Sequence, residues 1–165
     1  LDAPWVGDVC RAHILDALWP GVPCPALPVR QLHGMLMGFA DLVFEHAGRY
    51  WVLDYKSNHL GASGAAYTPE AMAAEMARHR YDVQAALYML ALHRLLRSRL
   101  GSAYCPATHL GGAVYWFVRG LDGPTHGICL VPPVPDLLGT LSVQLDEPGV
   151  GGEPGQSTAC TEELA

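Results

Sequence analysis

Apolar positions along this chain switch between a helical and a strand-like period. From Asp8 to Trp19 they recur at helical spacing, at Val9, Ala12, Ile14, Leu15 and Leu18. Pro20, Gly21, Pro23, Pro25 and Pro28 then break the pattern, so residues 1–33 read as a connector with a short helix. Residues 35–45 carry Met35, Met37, Phe39, Leu42, Val43 and Phe44, too apolar for clean alternation. That suits a strand buried on both faces. A turn at His46–Arg49 leads into Tyr50–Tyr55, a second strand rich in aromatic and β-branched side chains. So short a loop predicts an antiparallel hairpin.

Residues 59–67 read as a loop. Thr68-Pro69-Glu70 starts a helix, with a capping hydroxyl, proline at the first helical position and an acid in the first turn. The helical pattern extends to Leu100, with Gly101 beyond it, as one long helix or two with a bend. Strands are predicted at Ala113–Val118 and Gly127–Val131, and a short helix at Pro135–Val143. Gly, Pro, Ser and Glu dominate from Asp146, and a disordered tail is expected over residues 146–165. The fold class is α/β, a sheet flanked by helices, with a core over residues 34–145.

Composition narrows the picture. The 165 residues are enough for one domain. The opening segment has no basic region leading into an apolar run, and no stretch approaches the ~18 apolar residues of a membrane span. We expect a piece of a larger soluble protein. The five cysteines are scattered without a C-x-x-C pair, as in a reducing compartment. A net charge of −6 argues against a free-standing nucleic-acid binder. It leaves room for a module whose carboxylates bind a metal ion that offsets their charge.

The candidate chemistry lies in the hairpin. Val52, Asp54 and Lys56 alternate onto one face of the second strand. An acid and a lysine at the end of an apolar strand need pairing, and an ordinary surface salt bridge would suffice. Asp41, in Phe39-Ala40-Asp41-Leu42-Val43, changes that reading. With the turn near Ala47-Gly48, position 41 falls opposite position 54. Two carboxylates there are within reach of one cation, and magnesium accepts such oxygens while keeping several waters. The ion could hold a phosphate and acidify water, while Lys56 offsets charge on the phosphorus oxygens.

The segments Gly34-Met35-Leu36, Gly38-Phe39 before Asp41, Leu53-Asp54-Tyr55-Lys56-Ser57-Asn58, His79-Arg80-Tyr81-Asp82, Gln84 with Tyr88, and Arg119-Gly120 resemble the PD-(D/E)xK nuclease superfamily. Within it they resemble the RecB-type nuclease domains of helicase-nuclease complexes, over about Gly34 to Leu138. The resemblance implies a restriction-endonuclease-like core, truncated at its N-terminus. It implies exodeoxyribonuclease V type hydrolysis of DNA phosphodiesters, with Mg2+ as cofactor, in double-strand-break repair and recombination. Asp41, Asp54 and Lys56 would be catalytic, and Asp41, Asp54 and the Tyr55 carbonyl would be metal ligands. Gln84 and Tyr88 would bind substrate. The implied partners are DNA and RecC-like and RecD-like subunits in a bacterial cytoplasm, with no membrane. A ligand histidine and an acid of the family would lie upstream of this chain; His13 and Asp16 do not match those motifs.

Alternatives remain at this stage. Gln84 and Tyr88, four apart, also suit an ordinary pair on a helix surface. The same fold could be a passive DNA guide or subunit contact, or a catalytically incomplete fragment. Seven further histidines lack ligand spacing. Arg78, Arg80, Arg94, Arg97 and Arg99 read as a solvated helix face before a phosphate-facing stripe. Met72 and Met76 read as core. No G-x-x-x-x-G-K-[ST] motif occurs.

Overall fold

The computed structural model describes residues 2–29 and 38–146. Met35 and Met37, the Gly34-Met35-Leu36 segment and the predicted tail from residue 147 lie outside the described residues.

The chain begins with α1 (Ala3–Cys10), which passes through a π turn at Arg11–Leu15 into the single turn α2 (Asp16–Leu18). The next described elements are the strands β1 (Leu42–His46) and β2 (Arg49–Lys56). Next are α3 (Pro69–Arg78), α4 (Tyr81–Leu100), α5 (Pro106–His109) and β3 (Leu110–Phe117). The strand β4 (Ile128–Val131) and the helix α6 (Pro135–Asp146) follow. The strands form one mixed sheet in the order β1-β2-β3-β4, with β2 and β3 parallel and both outer pairs antiparallel. The long crossover between the parallel strands carries α3 and α4, as a βαβ unit requires.

The hairpin follows from its turn. Ala47 and Gly48 have φ of 52° and 76°, the doubly positive pair that matches the twist of two antiparallel strands. The Glu45 carboxylate accepts from the Gly48 backbone N–H at 2.6 Å. The register ends with Leu42 against Leu53, the residues next to Asp41 and Asp54 in the chain.

Two expectations about β1 need correction. It starts at Leu42, and Asp41 sits in the bend just before it. It is also largely exposed, because it is the edge strand of the sheet. Apolar content misled here, since composition cannot tell an edge from a centre.

One face of the sheet meets the helices. Val52, Ala113, Tyr115, Phe117, Cys129 and Val131 pack with Met72, Met76, Ala85, Met89 and Leu137 in a single core. Val6, Cys10 and Ile14 join it, so the N-terminal helix is built into the same core. On the opposite face Leu42, Tyr55, Ile128 and Leu130 are 42–53% exposed. Among the described residues no helix is long and apolar enough to cross a membrane.

The helical region of residues 69–100 divides in two. Thr68 caps α3, its hydroxyl accepting from Ala71 N–H at 3.2 Å. The break falls at Arg80, whose φ of 55° is left-handed. The Arg80 guanidinium binds both oxygens of Asp82 at 3.1 and 3.0 Å, Gly7 O at 2.6 Å and Pro25 O at 2.9 Å. This buried ion pair therefore holds the N-terminal segment against the start of α4. It also removes Arg80 from the arginine face that helical spacing suggests. Gly101, at φ 56°, ends α4.

Candidate active site

β2 delivers Asp54 and Lys56 to the core face of the sheet, under α4. Both are buried, at 7% and 8% exposure. The surface salt-bridge reading is thus wrong in place, although the two charges do pair, Lys56 Nζ to Asp54 Oδ2 at 2.6 Å. Central position explains the burial: β2 has neighbours on both sides and a helix above it.

Gln84, one turn into α4, ties the pair together. Its side-chain oxygen accepts from Lys56 Nζ at 2.9 Å, and its amide nitrogen donates to Asp54 Oδ1 at 3.3 Å and to the Tyr88 hydroxyl oxygen at 2.9 Å. The Tyr88 hydroxyl donates to the Phe39 carbonyl and lies 3.3 Å from Asp54 Oδ1. Burial raises the Tyr88 pKa, the Gln84 bond works against that, and the Asp54 charge adds to it. Tyr88 is therefore a neutral donor at neutral pH. The four-residue spacing of Gln84 and Tyr88 serves a shared polar network here, where a plain surface pair would also have fitted the sequence.

Asp41 is exposed, and its Oδ2 accepts from the Tyr55 backbone N–H at 2.8 Å. The Tyr55 ring points to the opposite face, 5.7 Å from Trp116. Among the described residues no three His, Cys, Asp or Glu side chains gather as a metal cluster. The donors present are two carboxylates, Asp54 on β2 and Asp41 in the bend before β1, with Asp41 open to solvent and held to the Tyr55 backbone. This all-oxygen set fits part of a site for a hard divalent cation that completes its shell with waters or phosphate oxygens.

Several residues around Lys56 carry no role in the sequence reading. The Lys56 ammonium lies 3.7 Å from the Tyr81 ring centre and 5.1 Å from that of Tyr115. Such cation–π contact partly offsets the desolvation of a buried ammonium. The Tyr81 ring stacks between His79 and Tyr115, at 5.2 and 5.6 Å. Glu75 holds the outer edge of this group. It accepts from Asn58 Nδ2 at 2.7 Å and from Arg78 Nε and Nη2 at 2.9 and 2.7 Å, and its carboxylate meets His79 Nε2 at 2.9 Å. The Arg78 bonds hold its pKa down near 2 against the opposing effect of burial, with Asn58 also lowering it. The spacing of Glu75, Arg78 and His79 at i, i+3 and i+4 was a visible signal for this cluster. Its link to Asn58, seventeen residues upstream, was not.

A family model described as the PD-(D/E)XK nuclease superfamily matches residues 17–155. The RecBCD enzyme subunit RecB of Escherichia coli strain K12 is 54% identical over 112 residues, covering 67% of this chain and 9% of that protein. RecB of Haemophilus influenzae is 42% identical over 118 residues, covering 71% and 10%. RecB of Mycobacterium tuberculosis is 48% identical over 124 residues, covering 72% and 11%. The chain spans about a tenth of the length of these relatives.

Proposed function

Given that the chain belongs to the PD-(D/E)XK nuclease superfamily, we propose that its hairpin and α4 form the hydrolytic site of a magnesium-dependent DNA nuclease. The observation that carries this reading is the buried Asp54–Lys56 pair bridged by Gln84, with the Asp41 carboxylate held at the backbone of Tyr55 between them.

Asp41, Asp54 and the Tyr55 carbonyl would hold the cation. When bound, it supplies Lewis-acid stabilisation of phosphate oxygens and makes nearby water more acidic. The chain's own residues do the rest. Gln84 and Tyr88 fix the orientation of the Asp54 carboxylate. Lys56, when its contact with Asp54 loosens in favour of the cation, presents its ammonium to the phosphate and offsets charge that develops in the transition state. Tyr81 and Tyr115 wall off the side of Lys56 away from substrate. Burial strengthens the interactions of Asp54 and Lys56 by lowering the local dielectric.

The likeness to RecB subunits extends the proposal to an exodeoxyribonuclease V type activity in a RecBCD-like helicase-nuclease, with RecC-like and RecD-like subunits, in the repair and recombination of double-strand breaks. The same proposal includes a bacterial cytoplasmic setting.

The test is degradation of linear DNA with magnesium by the intact polypeptide, with and without Asp54→Ala. Hydrolysis that disappears in the variant is expected. Hydrolysis unaffected by it would overturn the site assignment. DNA binding without hydrolysis would favour the passive DNA-guiding module.

A further inference from the structure

The sequence motif Arg119-Gly120 has no part in the site described above, yet the fold brings it there. In the parallel register Phe117, the last residue of β3, pairs with Lys56, the last residue of β2. The chain then turns through a 3-10 segment at Val118–Gly120. Arg119 leaves the sheet at the same end as Lys56, and its Nε donates to the Ser57 carbonyl at 2.9 Å.

That single bond uses one edge of the guanidinium. Arg119 is exposed, and none of the ion pairs among the described residues involves it. The other cations close to this site already sit in ion pairs with carboxylates. Lys56 is paired with Asp54, Arg78 with Glu75, and Arg80 with Asp82.

The turn carrying Arg119 is also held rigidly. A Cβ at Gly120 would lie 2.7 Å from the Tyr67 side chain, so the backbone rests directly on that buried ring. The Tyr67 hydroxyl donates to the Asn58 carbonyl at 2.9 Å, and its own carbonyl accepts from the Thr125 hydroxyl at 2.7 Å. Gly123 packs backbone to backbone on Gly64. The two loops leaving the ends of β2 and β3 are thereby pinned into one frame, with the Arg119 cation fixed beside Ser57. A planar guanidinium with a free donor edge suits bidentate binding of a phosphate. A chain of net charge −6 meets a polyanion only through such local positive groups.

We propose that Arg119 binds a DNA backbone phosphate beside the phosphodiester addressed by Asp41, Asp54 and Lys56. The proposal rests on the nuclease reading and adds a substrate-binding residue to it.

Binding of linear and single-stranded DNA to the full chain, measured in EDTA across a salt series, tests it. Arg119→Gln keeps a donor for the Ser57 carbonyl but removes the charge. It is expected to weaken binding several-fold, equally across sequences, and to lower the slope of log affinity against log salt by about 0.7–0.9. Arg119→Lys, which keeps the charge, should keep the slope. An unchanged slope in Arg119→Gln, an equal loss in both variants, or no DNA affinity in the wild-type chain at low salt would each overturn the proposal. Hydrolysis with magnesium is measured in parallel. A wild-type chain that binds with the Arg119-dependent slope but never cuts would sink the nuclease reading alone, and a cutting chain with an unchanged slope would sink Arg119 alone.

Discussion

Lys56 Nζ and Asp54 Oδ2 stand 2.6 Å apart, with the two side chains only 9% and 10% exposed. Removing one partner strands a buried charge, at a cost of about 3 kcal/mol or more. Asp54→Ala and Lys56→Ala should each destabilise the chain by this order in urea denaturation. The double variant should lose much less than the sum of the two, because neither charge is then stranded. Additive losses would show that the two residues are not coupled.

Gln84 contacts both members of that pair and Tyr88. Residues that orient a metal-binding carboxylate typically matter by about 10–100-fold in metal affinity or activity. Gln84→Ala should reduce hydrolysis by this order while leaving the circular dichroism spectrum unchanged. Tyr88→Phe keeps the ring and loses the hydroxyl bonds, so it should fall less. A rate unchanged in Gln84→Ala would remove it from the site.

Glu75 makes stability sensitive to acid. Its pKa is held near 2, below the ordinary 4.5, first by the Arg78 hydrogen bonds. An acid with a depressed folded pKa contributes stability above its unfolded pKa, and loses it as pH falls through the folded value. Thermal stability should therefore decline from about pH 4.5 towards pH 2. In Glu75→Gln the neutral-pH stability should be lower and the decline shallower. A curve of the same steepness would place the acid sensitivity elsewhere.

The two arginine–aspartate pairs should differ widely. Arg80 and Asp82 are 9% and 0% exposed, whereas Arg11 and Asp16 are both 47% exposed. Arg80→Met leaves the Asp82 charge buried and frees the Gly7 and Pro25 carbonyls, so about 3–5 kcal/mol should be lost. Arg11→Met should change stability by less than about 1 kcal/mol. Equal effects, by denaturant titration, would contradict the buried clamp.

The sequence by itself determined whatever depends on neighbours along the chain. The doubly positive turn at Ala47-Gly48 sets the hairpin register, and the register brings Leu42, next to Asp41, against Leu53, next to Asp54. Thr68-Pro69 starts a helix and Gly101 ends one through local backbone geometry alone. Strand alternation put Asp54 and Lys56 on one face, and helical spacing put Gln84 beside Tyr88. Only the tertiary structure decided the depth at which these groups sit. β2 is central and β1 is at the edge, so the paired charges of Asp54 and Lys56 are buried while Asp41 and the apolar β1 are exposed. The break at Arg80 arises because its side chain reaches Gly7 and Pro25, more than fifty residues away in sequence. Gln84 meets Lys56, and Arg119 meets Ser57, only because a crossover lays β3 alongside β2. Local patterns are governed by backbone sterics and periodicity. Burial and long-range charge pairing depend on which surfaces meet, and no window of sequence contains both partners.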